Sequence, residues 1–329
     1  PEYKKEIAAA GAIIALVSIL SKGPDNAKMD SIGALRSLAL DADNRNIIAK
    51  SRALPQLVII LSSPLYSMKT KEHTAGLIWN LAMGNTLLKL IGEEGTIPVL
   101  VTLLQDAQEG EVRRQAAGAL WNLALCTEHK KSIVTAGVLP VVINILKNMK
   151  INVKKQHKRD SRKNSHDNGK ETTNRSGSRD AAEWVSLKEL MGLIKSVSVC
   201  AENQLTIQAS GVVHYIVDTL HYGPPEAQMQ AATAIWNITL NNTENKLVVG
   251  TTTRAIAGLI RLVENSNSET IEQATGALWC LASSALPNKH VMLTKGAVSV
   301  LAQVVRSGTP VAIKHATGVL WNLANVDIG

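Results

Sequence analysis

Gly118-Ala119-Leu120-Trp121-Asn122-Leu123-Ala124 is one of five near-identical words in this chain of 329 residues. The others are Gly76-Leu77-Ile78-Trp79-Asn80-Leu81-Ala82, Thr233-Ala234-Ile235-Trp236-Asn237-Ile238-Thr239, Gly276-Ala277-Leu278-Trp279-Cys280-Leu281-Ala282 and Gly318-Val319-Leu320-Trp321-Asn322-Leu323-Ala324. Trp79 and Trp121 are 42 residues apart, Trp236 and Trp279 are 43, and Trp279 and Trp321 are 42. A fixed period of this length is the mark of a stacked array, in which each unit buries its apolar face only against its neighbours.

Two weaker words, Gly33-Ala34-Leu35-Arg36-Ser37 and Gly192-Leu193-Ile194-Lys195-Ser196, fall in the same register and bring the array to seven copies. The copies run roughly 1–42, 43–84, 85–126, 127–200, 201–241, 242–284 and 285–325 within a single domain, 1–329. Only the step from Trp121 to Lys195, 74 residues, departs from the period. It places an insertion at 148–180, between the second and third helices of the fourth copy.

The third copy shows the unit most plainly. A short helix from Asn85 stops at Gly95, and a second helix opens on Ile97-Pro98 and carries Leu100, Val101, Leu103 and Leu104. After a polar break, a third helix rich in alanine ends in the Trp-Asn word. Proline is tolerated in a first helical turn because the amide it lacks would have no helical partner there. Pro55 and Pro140 occupy the same place. Gly11, Gly95, Gly137, Gly211 and Gly296 stand where one helix must turn sharply into the next, a left-handed position that glycine fills without strain. The pattern predicts an all-α chain.

This combination resembles the armadillo repeat, as in β-catenin and importin-α, over essentially residues 1–325. The resemblance implies a right-handed α-α superhelix of about seven three-helix repeats, whose third helices line a groove for an extended peptide. Carried over by position, the groove asparagines are Asn80, Asn122, Asn237 and Asn322, with Ser37, Ser196 and Cys280 breaking the ladder. An amide side chain both donates and accepts, so it can read a peptide main chain without reading its side chains. A second reading of the asparagines is that they cap carbonyls at helix ends. Likewise Trp79, Trp121, Trp236, Trp279 and Trp321 are groove-rim residues or packing residues.

Importin-α places its groove tryptophan four residues before the asparagine, where this chain has Gly76, Gly118, Thr233 and Gly318. Here tryptophan directly precedes asparagine, about 100° away around each helix, so lysine slots for a nuclear signal are not expected. The groove is expected to resemble that of β-catenin-like or vacuolar scaffold proteins instead. Seven residues before the asparagine position lie Asp30, His73, Gln115, Glu189, Gln230, Gln273 and His315, a polar column expected to line the groove or a solvated face.

The chain's net charge of +8 is localised: residues 149–180 carry ten Lys or Arg against four Asp or Glu. A basic groove for nucleic acid is therefore not indicated. Lys154, Lys155, Lys158, Arg159, Arg162 and Lys163 make the insertion a candidate docking segment for an acidic partner or a nuclear localisation signal. A solvated, disordered spacer is the plainer alternative. Three cysteines make no disulfide framework and fit a reducing compartment. No nucleophile–base pair, phosphate loop or Cys/His metal spacing is present, so no catalytic residue, cofactor or metal is expected, and no apolar run has membrane-spanning length.

Together these readings describe an intracellular, cytoplasmic, non-catalytic scaffold binding extended segments of other proteins. The alternatives are a nuclear transport receptor and the substrate-binding region of a larger ligase or enzyme. The first and last helices keep apolar faces where solenoid ends need polar caps. Self-association through the ends, or excision from a longer array, is the expectation that follows.

Overall fold

The computed structural model describes residues 2–108, 110–149, 184–252, 254–283 and 286–325. The basic side chains Lys154, Lys155, Lys158, Arg159, Arg162 and Lys163 lie outside them. The chain forms two compact units, Pro1–Leu193 and Ile194–Gly329. Among the described residues there are helices and turns but no strand, and no single helix is long and apolar enough to cross a membrane.

In the first unit the helices follow one another in threes. Glu2–Ala9, Ala12–Lys22 and Asp25–Leu38 are succeeded by Ala42–Lys50, Ala53–Ser62 and Met68–Leu81. After a 3-10 turn at Asn85–Leu87 come Leu88–Glu93, Thr96–Asp106 and Gly110–Leu123, and then Thr127–Thr135 and Val138–Met149. The boundary between units falls within helix Leu187–Val197. The second unit continues with Ala201–Ala209, Val212–Tyr222 and Pro225–Thr239, then Thr243–Thr252, Ala255–Asn265 and Ser268–Ala282. Leu286–Thr294, Ala297–Ser307 and Pro310–Ala324 complete it.

Within each unit the third helices pack most closely on one another, Asp25–Leu38 on Met68–Leu81 on Gly110–Leu123, and Pro225–Thr239 on Ser268–Ala282 on Pro310–Ala324. Their composition explains this. Gly110–Leu123 buries Val112, Gln115, Ala116, Ala117, Gly118, Ala119, Leu120 and Leu123 and leaves Glu111, Arg113, Arg114, Trp121 and Asn122 half-buried, so a wide face of mostly small and apolar residues is covered by its neighbours beside a polar edge. The second helices are instead one-sided: Thr96–Asp106 buries Ile97, Leu100, Val101, Leu103 and Leu104 and exposes Thr102 and Gln105.

The sharp turn between first and second helices is left-handed at Gly11, Gly95, Gly137, Gly211 and Gly296, with φ from 75° to 86°. In the second copy Arg52 takes this place with φ 62°, a conformation that costs an L-residue roughly 1–2 kcal/mol. Three of the third helices are started by side-chain caps, while Asp25–Leu38 and Pro225–Thr239 follow a proline without one. Ser67, Asn267 and Thr309 accept from the backbone N–H of Thr70, Thr270 and Ala312, satisfying amides that lack a helical partner.

Candidate functional site

The final turns of the third helices hold the Trp-Asn words, and Trp79, Trp121, Trp236 and Trp279 each meet the next copy at a glycine. A Cβ built on Gly118 would lie 2.6 Å from the Trp79 ring, one on Gly192 2.5 Å from Trp121, one on Gly276 2.6 Å from Trp236, and one on Gly318 2.6 Å from Trp279. Non-bonded carbons keep about 3.5 Å apart, so the rings occupy space that only a missing side chain provides. Arg36 lies on Gly76 in the same way, its guanidinium 2.6 Å from the built Cβ. The exception obeys the rule: Lys195 replaces tryptophan in the fourth copy, and the following copy carries Thr233 where glycine stands elsewhere. In four copies, at Gly118, Gly192, Gly276 and Gly318, the word's glycine is thus a seat for the preceding tryptophan ring.

The asparagines bind backwards along the stack. Asn80 Nδ2 donates to the Arg36 carbonyl at 2.8 Å, Asn237 to Lys195 at 3.0 Å and Asn122, more weakly, to Trp79 at 3.4 Å. These carbonyls lie in the last turn of the preceding third helix, where no amide of that helix follows to bond them. Each asparagine therefore caps its neighbour's helix rather than its own. The bond fixes the amide plane and consumes one N–H. The three side chains stay half-buried, and among the described residues no donor reaches their Oδ1. Asn322 departs from the pattern, its Nδ2 buried without a partner.

The polar column is largely enclosed between copies. Gln115, Gln230 and His315 are buried, while His73 and Gln273 are half-buried. Gln115 donates to Glu111 and leaves its Oε1 unpartnered, as does Gln230. Gln273 accepts from the Thr233 hydroxyl at 3.1 Å. His315 Nδ1 stands 3.1 Å from the Glu272 carbonyl, and its ring lies 5.0 Å from that of Trp236 and 5.7 Å from that of Trp279. His73 Nδ1 is 3.5 Å from the Arg36 guanidinium, and burial holds its pKa below the usual imidazole value.

Charges on the first unit's third helices are paired among themselves. Arg114 bonds Glu111 at 2.7 Å, stands 4.0 Å from Glu189 and lies 5.4 Å from the Trp79 ring centre. The Arg114 bond lowers the Glu111 carboxyl pKa, whereas burial raises that of Glu189 against the pull of Arg114. In the second unit, burial pushes the Lys195 ammonium down, partly offset by Glu269. Among the described residues no group of three or more His, Cys, Asp or Glu is placed to hold a metal ion. The surface so built offers fixed amides and aromatic edges, the equipment of a binding face.

Known proteins place this geometry. The sequence profile of the Armadillo/beta-catenin-like repeat matches residues 88–125. The crystal structure of an engineered protein is similar over 98% of this chain and 71% of its own, with TM-score 0.80 and 25% identity. A designed armadillo repeat protein matches 82% of this chain and 99% of its own, with TM-score 0.65 and 22% identity. The chain is armadillo-like. A further designed armadillo repeat protein, solved in complex with the peptide (KR)4, aligns with TM-score 0.63 and 23% identity over 82% of this chain and 99% of its own. U-box domain-containing protein 8 of Arabidopsis thaliana is 26% identical over 113 residues, which are 34% of this chain and 30% of that protein. The chain thus matches less than a third of that relative's length.

This armadillo-like array contains a second ladder that its Trp-Asn word does not announce. On the first helices, Asn44, Asn203, Asn245 and Asn288 donate to the carbonyls of Leu38, Val197, Ile238 and Leu281, each at the end of the preceding third helix. Asn288 also donates to Lys246 of the previous first helix at 2.8 Å and fills the space above Gly250. The signal was available in the sequence as an asparagine six or seven residues after the word's leucine or its equivalent.

Proposed function

We propose that the chain is a non-catalytic scaffold that holds an extended segment of another protein along the third-helix faces of its units. One observation carries this reading: Asn80, Asn122 and Asn237 are fixed by a bond to the preceding copy, yet among the described residues nothing bonds their Oδ1 or second N–H on a half-exposed face. A pre-oriented amide pays little entropy when it meets a peptide group. The tryptophan rings, clamped between copies, supply rigid walls for side chains. A designed armadillo repeat protein of similar fold is known with a bound (KR)4 peptide, which supports peptide binding without identifying a ligand here. Three free cysteines suit a reducing, intracellular and cytoplasmic setting.

The match to a U-box domain-containing protein favours a second reading, in which this array is the partner-binding part of a larger protein whose chemistry lies in another domain. Both readings give the third-helix face the same work.

The test begins with a peptide selected against the full chain from a random display library. Its affinity is then measured by calorimetry for wild type, the Asn80→Ala/Asn122→Ala pair and Asn237→Ala, each checked for folding by circular dichroism. Loss of one net hydrogen bond weakens binding by about 3–10-fold. Unchanged affinity in every folded variant would overturn the proposal.

A further inference from the structure

In five of the seven copies the residue that follows the repeated word is a large apolar one left on the surface. These are Leu40, Met83 and Leu125 in the first unit and Val199 and Leu240 in the second. Four of the five are followed, six or seven residues on, by another on the next first helix: Ile47, Leu90, Leu205 and Leu247. All are between 38% and 58% exposed. Apolar residues scattered singly over a surface need no explanation, but a contiguous row marks an interaction face.

In the second unit the row gathers into one patch. Gln204 of helix Ala201–Ala209 donates to the Asn237 carbonyl, and Asn245 of helix Thr243–Thr252 to the Ile238 carbonyl, each at 2.9 Å. Both first helices are thus pinned to the end of Pro225–Thr239. Leu205, next to Gln204, and Leu247, two residues beyond Asn245, flank the turn that holds Leu240.

The two units differ in charge along the row. In the first, Lys5 and Lys89, each six residues before a left-handed glycine, pair with Asp43 and Glu128 of the following copy at 3.6 and 3.8 Å. In the second, Leu205 holds the lysine's place before Gly211, and the acid of the following copy, Glu244, is exposed with no cation paired to it among the described residues. Helix Ala201–Ala209 contains no Lys or Arg, and Thr243–Thr252 contains one, Lys246, buried with its Nζ 2.8 Å from the Ser283 hydroxyl. Leucine in place of lysine therefore widens the apolar patch and unmasks a carboxylate.

We infer that this patch receives an amphipathic helix of another protein, its apolar face on Val199, Leu205, Leu240 and Leu247 and its Lys or Arg side chains beside Glu244. The four apolar side chains bear no hydrogen-bonding group, so an extended segment laid on them would leave its amides unpaired, whereas a helix bonds its own. Neighbouring copies are spaced as packed helices are, about 8–10 Å apart, and seven residues of a helix rise about 10 Å. A partner running across both first helices thus meets each copy with apolar residues one heptad apart. The patch is separate from the third-helix asparagines and does not depend on peptide binding there.

A display library of helical peptides of about 20 residues, about 30 Å long, tests this, with leucine fixed at heptad spacing and each flanking position free to be Lys, Glu or Gln. Peptides selected on the full chain should be enriched in Lys and bind with Kd of about 1–100 µM by fluorescence anisotropy. Leu240→Ser/Leu247→Ser and Val199→Ser/Leu205→Ser should each weaken them at least about tenfold, Glu244→Lys should turn the selection towards Glu, and Asn237→Ala should leave the affinity unchanged. The substituted patch residues are exposed, so these variants should fold as wild type does by circular dichroism. Selection of no peptide, no preference for Lys, or affinity indifferent to both leucine-to-serine and valine-to-serine pairs would overturn the inference. So would self-association of the wild type, or its binding to phosphatidylserine vesicles, that Leu240→Ser/Leu247→Ser abolishes, since the face would then belong to a second copy or to a membrane.

Discussion

Gly118→Ala should destabilise the protein, although alanine is the better helix former. The added Cβ would lie 2.6 Å from Cδ2 and Cε2 and 2.8 Å from Cε3 of Trp79. Relief to ordinary contact requires the ring or the helix to move by about 1 Å. Overpacking of this kind costs about 1–3 kcal/mol, while replacing glycine inside a helix returns about 1 kcal/mol. The net expectation is a loss of about 1 kcal/mol. Gly33→Ala, at the same place in the repeated word but with nothing within 4 Å, should gain about 0.5–1 kcal/mol. Urea unfolding followed by circular dichroism measures both. A cycle with Trp79→Ala isolates the pair: once the ring is gone, Gly118→Ala should stabilise, a coupling of about 1 kcal/mol or more. Equal effects at Gly118 and Gly33, or no coupling to Trp79, would refute the seat.

Two further outcomes follow from the backbone and the charges. Arg52→Gly should raise the unfolding midpoint and Gly95→Ala should lower it, because both positions hold positive φ; the alanine variant should lose about 1–2 kcal/mol in the same urea titration. Glu189 has a folded pKa raised by burial, so its native form binds a proton more tightly than the unfolded chain does. Its contribution is present below the unfolded carboxylate pKa and lost as pH rises through the folded value. Glu189→Gln should therefore melt higher than wild type at neutral pH, with the difference shrinking as pH falls below the carboxylate range; a constant difference across pH would contradict this.

The third helices could be read from sequence because one tryptophan recurs at a nearly constant interval, and the turns because glycine recurs at the left-handed positions. Arg52 escaped that reading, since nothing about an arginine announces φ 62°. The period puts the polar column on one helix face, expected to line a groove or meet solvent, but whether that face meets solvent or a neighbour is not a property of one helix. Gln115, Gln230 and His315 prove buried because each third helix leans on the one before it. For the asparagines, helix-end capping and groove contact are two roles that one amide can combine. The structure shows the capping: one N–H of Asn80 and of Asn237 bonds the preceding copy, and among the described residues nothing bonds the rest of the amide. The glycine seats were visible in one covariation within the chain: Lys195 and Thr233 depart from Trp and Gly together at a single joint.

The account rests on main-chain recognition by anchored asparagines, which backbone N-methylation of a bound peptide tests directly. A peptide selected on the chain would be methylated one amide at a time and titrated calorimetrically against wild type and Asn237→Ala. Loss of about 3–10-fold at particular amides, shrinking in the variant at the amide that faces Asn237, is the predicted result. Peptides that bind equally well with every amide methylated would contradict it.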